Sequence, residues 1–218
     1  MKKTGKNDLE TLNKLNVIVD LTLLRDQFKH YKNPVKKIHD LIERKYLYLL
    51  RRGLYVNIKS EVLKLSEVET WAQKIYSPSY ISCEWALQYY GLLTDRVTTI
   101  TSVCLLKSVK FKSPVGNFSF DHLAKKRYPV GYKLERNFFI ARPEKALLDY
   151  INLRVGKVKW SSSEDIAEFL EEDVRLKTKA LIKMVLLEDL EENISYYHRN
   201  SNEARVLKYL IALKRKSK

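Results

Sequence analysis

The chain has 218 residues, enough for one large domain or for a small module joined to a larger one, and its 41 Lys plus Arg against 26 Asp plus Glu give a formal net charge of +15. Such a basic surface suits a polyanionic partner, nucleic acid first among them. Composition also excludes classes: no run approaches the roughly 18 apolar residues of a membrane span, no secretory leader follows Met1–Lys6, and Cys83 and Cys104 stand singly, without disulfide-framework or zinc-ligand spacing, as reduced thiols of a cytoplasmic protein.

Leucines at 9, 12 and 15 give one face of a first short helix, and Asp20 is placed to cap a second that runs to about Lys29. Asn33 and Pro34 open the best-marked helix of the chain, with Val35, Ile38, Leu41 and Ile42 on one face and Lys36, Lys37, Asp40 and Arg44 on the other. Tyr46–Leu50 and Leu54–Ile58 then read as strands joined by a tight Arg51-Arg52-Gly53 turn. Three helices and a hairpin in this order are the plan of a winged helix-turn-helix, assigned to residues 1–59, which hold 14 Lys plus Arg and 6 Asp plus Glu.

In such a plan the third helix enters the major groove and the hairpin tip meets the backbone or minor groove. The candidate DNA-binding residues are therefore Lys36, Lys37, His39, Asp40, Arg44, Arg51 and Arg52. The same charges also suit a solvated helix face and turn.

Residues 60–218 form a second, larger body. A helix or linker helix over 61–75 leads to the Pro78-Ser79 turn; Ser79 or Ser82 is placed to cap a helix ending at Tyr90, with Gly91 in the left-handed conformation after it and Ile81, Trp85 and Tyr89 as its core side. Val97–Val103, Leu105–Phe111, Asn117–Phe120 and Asn137–Ala141 are strand-like. Pro143 opens another helix with Ala146, Leu147 and Tyr150 turned inward, and further helices fall near 163–172, 178–191 and 201–214. The fold class expected is α+β: a winged helix-turn-helix followed by a larger mixed α/β domain.

From Leu105 to Lys145 there are 10 Lys plus Arg and 3 Asp plus Glu, with Lys107, Lys110 and Lys112 near-alternating and Lys125, Lys126 and Arg127 clustered. This possible basic surface suits an extended DNA footprint, an RNA, an acidic protein, or simply a solvated strand face. Catalytic patterns are missing: histidines 30, 39, 122 and 198 are scattered, there is no Gly-rich phosphate loop, HExxH or GxSxG, and Asp121, Glu135, Glu144 and Lys145 lack a recognisable nuclease spacing. The expectation is a non-enzyme with no cofactor and no metal.

Two segments carry more specific information: Ile75–Leu93, IYSPSYISCEWALQYYGLL, and Ile140–Asp149, IARPEKALLD. With Gly116-Asn117-Phe118-Ser119-Phe120 between them and Arg52-Gly53-Leu54-Tyr55 before them, they resemble the abortive-infection AbiE-type antitoxin family over roughly 75–153; past Trp160 no motif is recognisable. The resemblance implies an antitoxin of a type IV toxin–antitoxin system used in phage defence. Such a protein also represses its own operon by binding operator repeats in its promoter, and it counteracts a nucleotidyltransferase-like toxin without a stable complex. The alternatives are a nucleic-acid-binding nuclease and a transcriptional regulator without a toxin partner.

Overall fold

The computed structural model describes residues 6–64, 68–128, 130–156, 158 and 160–217 as a mixed α+β chain with two sheets. It divides into two compact units, Met1–Ile75 with Lys110–Asn117, and Tyr76–Val109 with Phe118–Lys218. The first therefore runs beyond residue 59. Trp71, Ala72 and Ile75 on the helix Glu69–Ile75 are buried, and the Ile75 carbonyl accepts a bond from Arg51 Nε at 3.0 Å, so this helix belongs to the hairpin's unit.

In the first unit the order is α1 (Lys6–Lys14), β1 (Ile18–Asp20), α2 (Leu21–Gln27), α3 (Pro34–Glu43), β2 (Leu47–Arg51) and β3 (Leu54–Asn57), followed by a 3-10 turn at Glu61–Lys64 and α4 (Glu69–Ile75). The strands make an antiparallel sheet in the order β1-β3-β2, with Val19 opposite Tyr55 and Leu47 opposite Asn57. Leu12, Leu24, Phe28, Ile38, Leu41 and Leu47 form the core beneath it. Asp20 ends β1 and caps α2, accepting from the Leu23 N–H at 2.8 Å. Asn33 caps α3 in the same way through the Lys36 N–H at 3.0 Å, with Pro34 in the first turn.

The end of α3 has its own motif. The Tyr46 N–H donates to the Leu41 carbonyl and the Lys45 N–H to that of Ile42, which is the Schellman pattern, and Lys45 takes the left-handed position at φ 58°. Val35, on the apolar face of α3 with Ile38 and Leu41, is 38 % exposed.

After residue 75 come β4 (Ser79–Ile81), α5 (Cys83–Tyr89), β5 (Thr99–Cys104), β6 (Val109–Ser113), β7 (Gly116–His122), β8 (Tyr132–Glu135), β9 (Phe138–Ala141) and α6 (Pro143–Arg154). Lys110–Asn117, which takes in most of β6 and the start of β7, is grouped with the first unit. Then come α7 (Ser163–Glu168) with a π-helical turn at Phe169–Asp173, α8 (Thr178–Met184), α9 (Leu187–Ile194) and α10 (Asn202–Lys216). The sheet order is β6-β7-β5-β4-β9-β8, with β4 antiparallel to β5 and parallel to β9.

The expected core side of α5 is corrected. Ile81 belongs to β4 and the helix starts only at Cys83, so the buried face turns to Cys83, Ala86 and Leu87; Tyr89 is 38 % exposed and Trp85 half-buried. The cap is corrected too: neither Ser79 nor Ser82 caps by its side chain. Thr101 of β5 does that work from across the sheet, its hydroxyl accepting from the Trp85 N–H at 3.0 Å and donating to the Ser82 carbonyl at 2.6 Å. Gly91 at φ 68° closes the helix, with the Leu92 and Gly91 N–H groups donating to Leu87 and Gln88.

Candidate functional site

Along α3 the sequence-derived residues separate by environment. Lys36, His39 and Arg44 are exposed and Asp40 is half-buried; together with Tyr31, Lys32 and Asn33 they border an open depression of about 560 Å3, apart from His39. Arg51 and Arg52 are exposed at the β2–β3 tip, where Gly53 at φ 79° permits the two-residue turn between the paired Arg51 and Leu54. Arg51 is also tethered through its bond to Ile75.

Lys37 is the exception. It is only 5 % exposed, its ammonium is paired with the buried Asp8 carboxylate, and it lies 4.8 Å from the centroid of the Tyr31 ring. The Tyr31 hydroxyl donates to the same carboxylate at 2.5 Å, and desolvation, with Asp8 second, pushes its ionisation up to about 12. Lys37 thus fastens α3 to α1 and is withdrawn from the base-reading residues. Its helical phase did not reveal this, because Asp8 lies 29 residues away.

The second unit holds a comparable but sealed centre, and it is built from the two motif segments. Asp149 of α6 accepts from Lys145 Nζ at 2.5 Å, from the Ser82 hydroxyl at 2.6 Å and from the Tyr80 hydroxyl at 3.0 Å. Lys145, Asp149, Tyr80 and Ser82 are each at most 1 % exposed. Spacing of four along α6 brings Lys145 and Asp149 onto one face, and Tyr80 of β4 and Ser82, just after the strand, meet them there.

Tyrosines close this centre. Tyr132 stacks on Tyr80 at 4.7 Å and 14°, and Tyr128 tilts against both. Burial, then the Asp149 charge, drives the Tyr80 phenol well above its ordinary range. Gly131 is required by its surroundings: a Cβ there would sit 2.9 Å from Lys145 Cβ, and φ is 76°. Buried and hydrogen-bonded, the arrangement holds β4 to α6.

Glu144, beside this centre on α6, differs. It is 1 % exposed, its Oε1 has no hydrogen-bond partner among the described residues, and its carboxyl is pushed up to about 7 by burial, with the Asp189 charge adding and its own N–H and Arg142 opposing. The other acids weighed as a nuclease cluster go elsewhere: Asp121 to Arg154 at 2.8 Å, Glu135 to Lys133 at 2.6 Å, while Lys145 is held by Asp149.

Of the basic stretch, Lys107, Lys110, Lys112, Lys125 and Lys126 are exposed. Arg127 is corrected: it is half-buried, bonded to the buried Glu203 at 3.0 Å and placed 5.3 Å from the Tyr197 ring centroid, so it ties its loop to α10 rather than extending the surface.

No family model and no curated protein matches the chain. Among solved structures, a candidate nucleotidyltransferase from H. pylori is 12 % identical with a TM-score of 0.32, covering 72 % of this chain and 92 % of that one. JHP933 from Helicobacter pylori is 13 % identical with a TM-score of 0.31, covering 72 % and 89 %. Likeness at this level bears on neither fold nor activity. No helix among the described residues is long and apolar enough to cross a membrane.

Proposed function

We propose that the protein is a DNA-binding regulator and antitoxin, with a winged helix-turn-helix in its first unit acting on operator repeats of its own promoter and its second unit counteracting a nucleotidyltransferase-like toxin. The observation that carries the DNA-binding half is the pairing of exposed cations on α3, Lys36 and Arg44, with a hairpin tipped by Arg51 and Arg52, in a unit of order α1-β1-α2-α3-β2-β3. A helix of this kind reads base edges with its N-terminal turn while a basic tip engages phosphates. Lys37 does not read bases; it fixes the helix that does. The antitoxin half rests on the resemblance carried by the PSYIS and PEKALLD segments, which meet at one buried centre of the second unit.

The test is anisotropy of the full-length protein with duplex from upstream of its own gene, at several salt concentrations. Lys36→Ala with Arg51→Ala and Arg52→Ala is expected to weaken binding by about tenfold or more and to flatten the salt dependence by about 0.9 for each phosphate no longer neutralised. Unchanged affinity and slope would refute the DNA-binding assignment. For the second half, the full chain is expected to restore growth to cells expressing a nucleotidyltransferase-like product of the adjacent gene; no such gene, or no rescue, refutes it.

A further inference from the structure

The C-terminal helices leave a groove that belongs to neither centre. Between α8 and α10 lies a concavity of about 600 Å3, within the size range of sites that enclose a drug-sized ligand or the anchor side chains of a helix. Ile182, Leu213 and the Tyr209 ring line it, and its cations are Lys179, Lys183 and Lys214, with Glu171 as the acid on its border. Lys214 is fixed by donating to the Ile182 carbonyl at 2.8 Å. Lys179 and Lys183 are exposed four positions apart on one face of α8, an arrangement of like charges that disfavours a helix on its own. Beside them Met184 is 51 % exposed and Leu186 60 %.

An apolar recess under a lysine rim is complementary to an apolar side chain flanked by carboxylates. A flat anionic surface meets the rim alone, whereas a helix with apolar anchors at every third or fourth position reaches the floor and the rim together. We propose that this groove docks an acidic amphipathic helix of a partner protein, with its apolar anchors against Ile182, Tyr209 and Leu213 and its carboxylates on Lys179 and Lys183. The charge match sets partner choice and encounter rate, and the floor sets the lifetime of the complex.

Full-length protein is titrated against a fluorescent amphipathic peptide of about four helical turns, leucine on one face and glutamate on its flanks. Saturable binding is expected, weakened about tenfold or more by Lys179→Glu with Lys183→Glu. Arg96→Glu with Arg199→Glu, an equal change of net charge at exposed sites outside the groove, is expected to leave binding intact. A peptide with lysine flanks is expected not to bind. Any of four results overturns the proposal: no saturable binding at about 1 mM peptide, equal weakening by the two double variants, equal binding of the acidic and basic peptides, or groove-sensitive binding only to phosphatidylglycerol vesicles.

Discussion

Two places in this molecule use the same trio. In the first unit Asp8 binds Lys37 and the Tyr31 hydroxyl; in the second Asp149 binds Lys145 and the Tyr80 hydroxyl, and in each the lysine also faces the tyrosine ring, at 4.8 Å and 5.9 Å. The settings differ. Lys145 and Asp149 lie on one helix and receive a strand, whereas Lys37 and Asp8 join two helices, and Tyr31 reaches the open depression beside α3. The device therefore locks a core in one unit and orients a surface element in the other.

The largest effect is expected where the pair is most thoroughly sealed. Asp149→Ala should cost about 3–5 kcal/mol in denaturant unfolding, because the buried Lys145 ammonium loses its partner. Lys145→Met combined with Asp149→Leu should recover most of that loss; failure to recover would show that the hydrogen bonds from Tyr80 and Ser82 matter more than the charge. Asp8→Ala should break the comparison in a different way. It is expected to abolish operator binding although Asp8 is 3 % exposed and faces no DNA, while Asp149→Ala leaves that binding in place wherever the protein remains folded. Retained operator affinity in Asp8→Ala would remove the orienting role given to this centre.

Glu144 sharpens the picture with pH. Its folded carboxyl titrates at about 7 against an ordinary 4.5, so from pH 4.5 upward the unfolded chain gives up the proton first. Stability from this group is full below 4.5, falls as pH rises to about 7, and is level beyond, by up to about 3 kcal/mol. Glu144→Gln should abolish that decline, seen as a flatter profile of urea midpoint against pH. A profile identical to wild type would place a partner on the carboxylate.

Gly131→Ala should cost about 1–3 kcal/mol, since it introduces a Cβ against Lys145 at a positive φ. Most of its effect should persist in Lys145→Ala, which keeps the Cβ at 2.9 Å and removes only the Cγ and Cδ at 3.0 and 3.3 Å. Smallest is Lys45→Gly at the end of α3, expected to gain about 0.5–1 kcal/mol by relieving the left-handed lysine, with operator affinity unchanged.

Signals confined to a few neighbouring residues were legible in the sequence. Asp20, Asn33-Pro34, Gly91 and Pro143 each mark a helix boundary because their chemistry acts on N–H and carbonyl groups within one turn, and Arg51-Arg52-Gly53 marks a hairpin for the same reason. The α+β class followed from those marks. The strands β1 and β4, of three residues each, were not legible, since so short a run shows no alternation and forms only because a partner strand accepts it; β8, of four, carries no β-branched residue, unlike β3 and β9 of the same length. Nor was the fate of individual charges. Lys36 and Lys37 are adjacent in sequence, yet one faces solvent and the other is buried on Asp8; Arg127 follows two exposed lysines and turns to Glu203. Burial of an ion depends on whether tertiary packing brings a counter-charge and hydrogen bonds to it, and those partners lie tens of residues away, where no local pattern reaches.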